Sequence, residues 1–104
     1  MKIKIHDLTW EVKFVCGIDC DEDMEVSGAT MKMQQLIVID ITVPKEMLRR
    51  TIVHELVHAF IWTYGLENSK PFSEEQVCNF FETYYQDIIK LTDKILKVGL
   101  KLGG

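Results

Sequence analysis

The chain has 104 residues and a net charge of −4, and 47% of its residues are hydrophobic. This length predicts one domain with a single core, and the composition is typical of soluble globular proteins. The acidic balance, without a cluster of lysines and arginines, argues against nucleic-acid binding. No segment approaches the length of a membrane span, and no signal peptide precedes the first predicted strand. We therefore expect neither a nucleic-acid nor a membrane partner.

The cysteines are odd in number: Cys16, Cys20 and Cys78. An odd count without a secretory signal favours reduced thiols and a cytoplasmic protein. Cys16 and Cys20 are spaced as half of a zinc-ligand set, but no second pair accompanies them. We therefore expect buried or half-buried free thiols.

The first half of the chain predicts strands. Isoleucines alternate with polar residues over residues 2–6, which predicts a short half-buried strand. A longer alternation from Leu8 to Cys16 predicts a second strand with one core face. The sequence leaves open whether these two segments form one bent strand or a hairpin.

Residues 17–28 are acidic and bounded by glycines. Their carboxylates lack the order of a calcium loop, so a connecting loop is the better interpretation. Beyond it, Thr30–Met33 predicts a short strand, Gln34–Gln35 a turn, and Leu36–Ile41 a strand buried on both faces.

The motif His54-Glu55-Leu-Val-His58 lies in an otherwise apolar stretch of a predicted helix, which begins at Pro44 and ends near Gly65. Residues four apart lie on the same side of a helix, so both histidines point the same way. Two such imidazoles bind one tetrahedral zinc ion, with Glu55 beside the position of a metal-bound water. Because apolar residues cover nearly the whole circumference, we expect a buried helix. The alternative is a coincidental spacing on a surface helix.

A second long helix is predicted from Ser73 to about Val98. Ser73 and Gln76 match a capping box at its start. Apolar residues then repeat at spacings of three and four, which predicts a broad core-facing stripe.

A catalytic zinc ion needs three protein ligands and one open position. The acidic residues after the motif are the candidates for the third ligand: Glu67, Glu74, Glu75, Glu82 and Asp87. The first helix continues about 10 Å beyond His58, and the following loop spans up to about 23 Å, so the second helix can start beside the histidines. This selects Glu74 or Glu75 without deciding between them, although acidic residues also favour helix N-termini without a metal. Asn79 would then hydrogen-bond a ligating histidine.

Three segments within residues 28–90 match, in order, the pattern of one metallopeptidase family. They are the strand ending Ile37–Asp40, the motif segment Thr51–Ala59, and the helix opening Glu74–Phe80. In this order they resemble the small zincin-like metallopeptidases of the ImmA/IrrE type, particularly short phage and mobile-element versions. We accordingly expect one α+β domain over residues 1–104, with an antiparallel or mixed sheet of three or four short strands. The sheet would pack on the buried motif helix and the long C-terminal helix.

In that family the two motif histidines and a downstream glutamate hold zinc, and the motif glutamate is the general base. Carried over, the resemblance implies His54, His58 and Glu75 as metal ligands and Glu55 as the catalytic residue. Glu75 is preferred to Glu74 because the family pattern E-x-x-small-N aligns Glu75, Cys78 and Asn79. It further implies a cytoplasmic location, in a bacterium or, for a phage-encoded chain, in the host cell.

The implied function is zinc-dependent hydrolysis of a peptide bond in a specific protein substrate. Zinc would activate a water, and Glu55 would take its proton. Tyr64, Tyr84 and Tyr85 are candidate oxyanion donors, although tyrosines at helical spacing more often belong to a core. A sheet edge at Gly28–Met33, including Met31 and Met33, would align an extended peptide.

Two alternatives remain at this point. One is a zinc-stabilised binding module of a phage or mobile element, which holds a regulatory protein without cutting it. The other is a structural zinc site whose fourth position is closed by a ligand such as Cys78. The sequence contains no signal for a particular substrate or oligomeric state.

Overall fold

The computed structural model describes residues 1–18, 26–66 and 73–103. Its elements are, in chain order, β1 (Lys2–Ile5), β2 (Leu8–Val15), β3 (Gly28–Met31), β4 (Leu36–Asp40), α1 (Lys45–Thr63) and α2 (Glu74–Gly103). Strands in the first half and two helices in the second form an α+β arrangement, as predicted.

The strands form one four-stranded mixed sheet in the order β1-β2-β4-β3. β1 and β2 pair antiparallel, so the two segments form a hairpin and not one bent strand. His6 lies in the turn of this hairpin with φ 56°. β2 pairs parallel with β4, and β3 pairs antiparallel with the other side of β4. β3 therefore lies at an edge of the sheet, as predicted for Gly28–Met33. The strand itself runs over Gly28–Met31, two residues earlier at each end than the predicted strand Thr30–Met33.

The core lies between one face of the sheet and the helices. Alternating residues of the strands supply the sheet side, including Trp10 and Ile39, both 0% exposed. Helix α1 contacts β1, β3 and β4, and α2 packs against α1. On the opposite face of β4, Leu36 and Val38 are only half-buried, so the prediction of a strand buried on both faces is correct for one face alone.

Helix α1 is buried on one side rather than all round. Its buried residues recur at helical spacing: Leu48, Thr51, Ile52, Glu55, Leu56, Ala59 and Phe60. His54 and His58 are exposed, and Val53 and Val57 are half-buried. The expectation of a fully buried helix was wrong because the second layer, α2, covers only part of the circumference that the sheet leaves free.

Helix α2 begins with the predicted capping box. The Ser73 amide donates to Gln76 Oε1 at 2.9 Å, and the Gln76 amide donates to Ser73 Oγ at 3.1 Å. The helix continues to Gly103, beyond the predicted end near Val98. Gly99 lies inside the helix at a close contact with β2: a Cβ at this position would lie 3.1 Å from Phe14 Cε1.

Two further expectations concern the cysteines and the acidic segment. Cys16 and Cys78 are free but exposed, which corrects the expectation of buried or half-buried thiols. Cys20 and most of the acidic segment, residues 19–25, lie outside the described residues, as do residues 67–72.

Within the part of the chain that the structure describes, neither helix combines the length and hydropathy of a membrane span.

Candidate metal centre

The two motif histidines meet on the exposed side of α1. Their Nε2 atoms are 3.2 Å apart, and the ring centroids are 4.9 Å apart at an interplanar angle of 74°. One turn of helix separates His54 from His58, so the helix itself brings the rings together. In a tetrahedral site with Zn–N bonds of about 2.0–2.1 Å, two nitrogen ligands lie about 3.3 Å apart. The spacing of the pair thus fits one edge of such a site.

Glu55 follows His54 on α1 but is turned towards the protein interior and is only 6% exposed. Its Oε1 accepts a hydrogen bond of 2.7 Å from the hydroxyl of Thr30 in β3. The same hydroxyl lies 3.2 Å from the backbone oxygen of Glu55. A buried carboxylate without such a donor would be strongly unfavourable, so this contact explains why the interface between α1 and β3 tolerates an acid.

Close contact between β3 and α1 depends on Gly28. A Cβ at this position would lie 2.8 Å from Thr51 Cγ2, 2.9 Å from Glu55 Cγ and 3.2 Å from Glu55 Oε2. The hydroxyls of Ser27 and Thr51, 2.8 Å apart, link the two elements at the same level. Small and hydroxylated residues therefore allow the strand to approach the helix at the position of the motif glutamate.

The two oxygens of Glu55 have different surroundings. Every buried side-chain nitrogen and oxygen in the described part of the chain has a hydrogen-bond partner. Among the described residues, no hydrogen bond reaches Oε2, whereas Oε1 is bonded to Thr30. Glu55 lines a cleft of about 380 Å³, together with residues that include Gly28, Arg50 and His54.

A second cleft, of about 540 Å³, adjoins the first on the other side of His54. It is lined by Arg49, Arg50, Val53, His54, Val57, His58 and Ile61. Both histidines border it, whereas Glu55 does not. Solvent therefore reaches both histidines from the second cleft. His54 lines both clefts, whereas His58 lines only the second.

The structure does not bring a third ligand to the histidines. Among residues 1–18, 26–66 and 73–103, no three histidine, cysteine or acidic side chains are grouped closely enough to hold a metal ion. Glu74 and Glu75 lie exposed in the first turn of α2, and Asn79 and Cys78 are exposed one turn further on. Glu67 lies outside the described residues.

Two of the tyrosines considered as oxyanion donors belong to an aromatic cluster. The rings of Tyr64 and Tyr84 are 4.5 Å apart, and both contact Phe60. Burial, followed by the neighbouring Tyr84 and Asp87, raises the pKa of Tyr64 above its usual value of 10.0. Tyr85 stacks on Phe81 instead. The core interpretation of Tyr64 and Tyr84 agrees with these contacts.

Sequence reasoning missed Thr30 and Gly28 as partners of Glu55. A signal exists in their spacing, because residues two apart in a strand face the same side. No sequence pattern, however, indicates which strand lies beside the motif glutamate. The site thus offers two adjacent nitrogen donors for a metal and, beside His54, a carboxylate of which Oε1 is bonded to Thr30.

No protein-family model, curated protein or solved structure matched the chain in the comparisons.

Proposed function

We propose that the protein is a zinc-dependent peptidase of the zincin-like type. The observation that carries the proposal is the 3.2 Å separation of His54 Nε2 and His58 Nε2, with a buried glutamate between them in sequence. Imidazole nitrogens are good zinc ligands, and the exposure of both rings leaves them accessible to a metal. In this proposal Glu75 supplies the third ligand, as the resemblance to the ImmA/IrrE type implies.

Zinc, when bound, supplies a Lewis acid that lowers the pKa of a water and stabilises negative charge on a carbonyl oxygen. The residues of the chain perform the remaining work. Glu55 takes a proton from the water while the water oxygen attacks the peptide carbonyl carbon. It returns that proton to the departing amine as the C–N bond breaks, so one water is consumed and no other reactant is needed.

The substrate would bind as an extended peptide along β3. Among the residues that the structure describes, this strand pairs with β4 on one side only, and strand addition would take place on its other side. Thr30 and Gly28 place β3 against Glu55, so a peptide on this edge would pass the catalytic carboxylate. The exposed Met31 and Met33 lie at the end of the same edge segment.

The first experiment measures zinc in protein purified without chelator and again after reconstitution. We expect about one zinc ion per chain, and its loss in His54→Ala and in His58→Ala. His6→Ala is the matched control, because His6 is an exposed histidine at the β1–β2 turn. Absence of zinc after reconstitution of the unsubstituted protein would overturn the proposal.

The second experiment separates an enzyme from a zinc-stabilised binding module. Zinc-loaded protein is incubated with a quenched fluorescent peptide library and, in parallel, with cytoplasmic proteins from a bacterial host. A peptidase loses turnover in Glu55→Gln while zinc content and the unfolding transition are kept. Partner capture that is unchanged in Glu55→Gln, without any cleavage by the unsubstituted protein, would establish the binding module instead.

A further inference from the structure

We propose that Thr30 is the positioning residue of the catalytic carboxylate: it fixes Oε1 of Glu55 so that Oε2 alone accepts the proton. This inference rests on the proposed function and assigns separate roles to the two oxygens. It also makes β3, the strand that would bind the peptide, responsible for orienting the base.

The hydrogen bond has the geometry of a strong one. At 2.7 Å, the distance from Thr30 Oγ1 to Glu55 Oε1 falls in the range of bonds between a hydroxyl and a charged carboxylate. The hydroxyl also lies 3.2 Å from the backbone oxygen of Glu55, so Thr30 contacts both ends of the same residue. A carboxylate held at one oxygen cannot rotate freely, and its second oxygen keeps one direction.

The space around Oε2 is also set by β3. Gly28 lies two residues before Thr30 and faces the same side, where a Cβ would come within 3.2 Å of Oε2. The missing Cβ leaves space beside Oε2, and Gly28, Glu55 and His54 line the same cleft. One strand therefore supplies a donor at Oε1 and free space at Oε2.

Orientation matters because a general base must lie within hydrogen-bond reach of the proton that it takes. In the proposed reaction, Oε2 accepts the proton from the attacking water while Oε1 remains bonded to Thr30. The proton then passes from Oε2 to the leaving amine nitrogen. Thr30 exchanges no proton with the substrate and contributes only by restricting the carboxylate.

The first test measures the Thr30–Glu55 contact without metal or substrate. Thr30→Val removes the hydroxyl at nearly constant volume, and Glu55→Met removes the acceptor. We expect Thr30→Val to lower the folding equilibrium constant about tenfold or more, and to have little effect on the Glu55→Met background. Thr92→Val is the matched control, because the Thr92 hydroxyl makes an equally short bond, 2.7 Å, to Ile88 oxygen within α2. Its effect should be the same on both backgrounds.

The second test measures orientation by binding rather than turnover. Acetohydroxamic acid chelates zinc and carries an acidic proton that a well-placed carboxylate accepts. We expect Glu55→Gln and Thr30→Val to weaken its binding to the zinc-loaded protein by at least about tenfold. Thr30→Ser, which keeps the hydroxyl, should restore it, and Thr92→Val should leave it unchanged. A purely structural role of Thr30 would not give rescue of this kind.

The outcomes separate this inference from the proposed function. Equal effects of Thr30→Val on both backgrounds would overturn the contact. Binding of acetohydroxamic acid that is unaffected by Thr30→Val or by Glu55→Gln would overturn the positioning role alone. Failure of the unsubstituted protein to take up zinc would overturn the proposed function, and the positioning role with it.

Discussion

Gly28 of β3 lies so close to Glu55 of α1 that a Cβ on the glycine would be 2.9 Å from Glu55 Cγ. The same added Cβ would be 2.8 Å from Thr51 Cγ2. The absence of a side chain at residue 28 therefore sets the distance between the edge strand and the motif helix.

Gly28→Ala should destabilise the protein by about 1–3 kcal/mol, because the added methyl overpacks a tight interface. Chemical denaturation monitored by tryptophan fluorescence measures the change. Thr51→Ser removes the nearer of the two obstructing atoms and should recover part of the loss in the double variant. Ala29→Ser, on the opposite face of β3, should change stability by less than about 0.5 kcal/mol. A Gly28→Ala protein as stable as the original would contradict the close contact.

Glu75 and Glu74 provide a matched pair for the third zinc ligand. They are adjacent, equally charged and exposed in the first turn of α2. If Glu75 is the ligand, Glu75→Ala should weaken zinc binding by more than about a hundredfold, which exceeds the usual effect of residues that only support a ligand. Glu74→Ala should have little effect. Competition titration with a zinc-binding dye measures both, and the reverse result would assign the role to Glu74.

Asp40 should make the stability of the protein depend on acid pH. Burial alone raises the pKa of Asp40, but hydrogen bonds from the hydroxyl and amide of Thr42 and from the amide of Gly17 outweigh it, so the pKa lies below 3.8. At acid pH the unfolded chain then binds more protons at this site than the folded protein. The stabilisation is therefore fully present above a pH of about 4–5 and is lost as the pH falls through the folded-state pKa.

This dependence is measured as the difference in unfolding free energy between the original protein and Asp40→Asn. The difference should be constant from pH 7 down to about pH 5 and should shrink below about pH 4. Asp93→Asn is the control, because its exposed carboxylate makes an ion pair with Arg49 that is expected to contribute little. A difference that grows below pH 4 would contradict the direction of the Asp40 shift.

The sequence predicted the elements better than the contacts between them. Alternation in β2 and the capping box at Ser73 identified their elements because these signals are local. The prediction that α1 is buried all round was wrong. Apolar residues such as Val53 and Val57 do not show which side of the helix is covered until the neighbouring layer is known. The motif histidines were found from spacing alone. Thr30 was not, because its role depends on a pairing between distant segments.

Within the described residues, β3 has a free edge on the side away from β4, and this edge leads to a final prediction about peptide binding. The Asp40 amide donates to Ser27 oxygen at 2.9 Å, so residues 27 and 40 form a hydrogen-bonded pair of the antiparallel ladder. Such pairs alternate with pairs whose backbone groups point away from the partner strand. The amides and carbonyls of Gly28 and Thr30 should therefore face the free edge and pair with an added peptide strand.

Nuclear magnetic resonance of the Glu55→Gln protein tests this with a peptide that the unsubstituted protein cleaves. The amide signals of Gly28 and Thr30 should shift on addition of the peptide, while those of β1, the other edge strand, should not. Lys2 and Lys4 are exposed on β1, and charged side chains of this kind discourage strand addition. Two peptides N-methylated at alternate residues provide the control, because only the one methylated at the pairing amides should lose affinity. Equal binding of both peptides, or shifts centred on β1, would show that the peptide binds elsewhere than along β3.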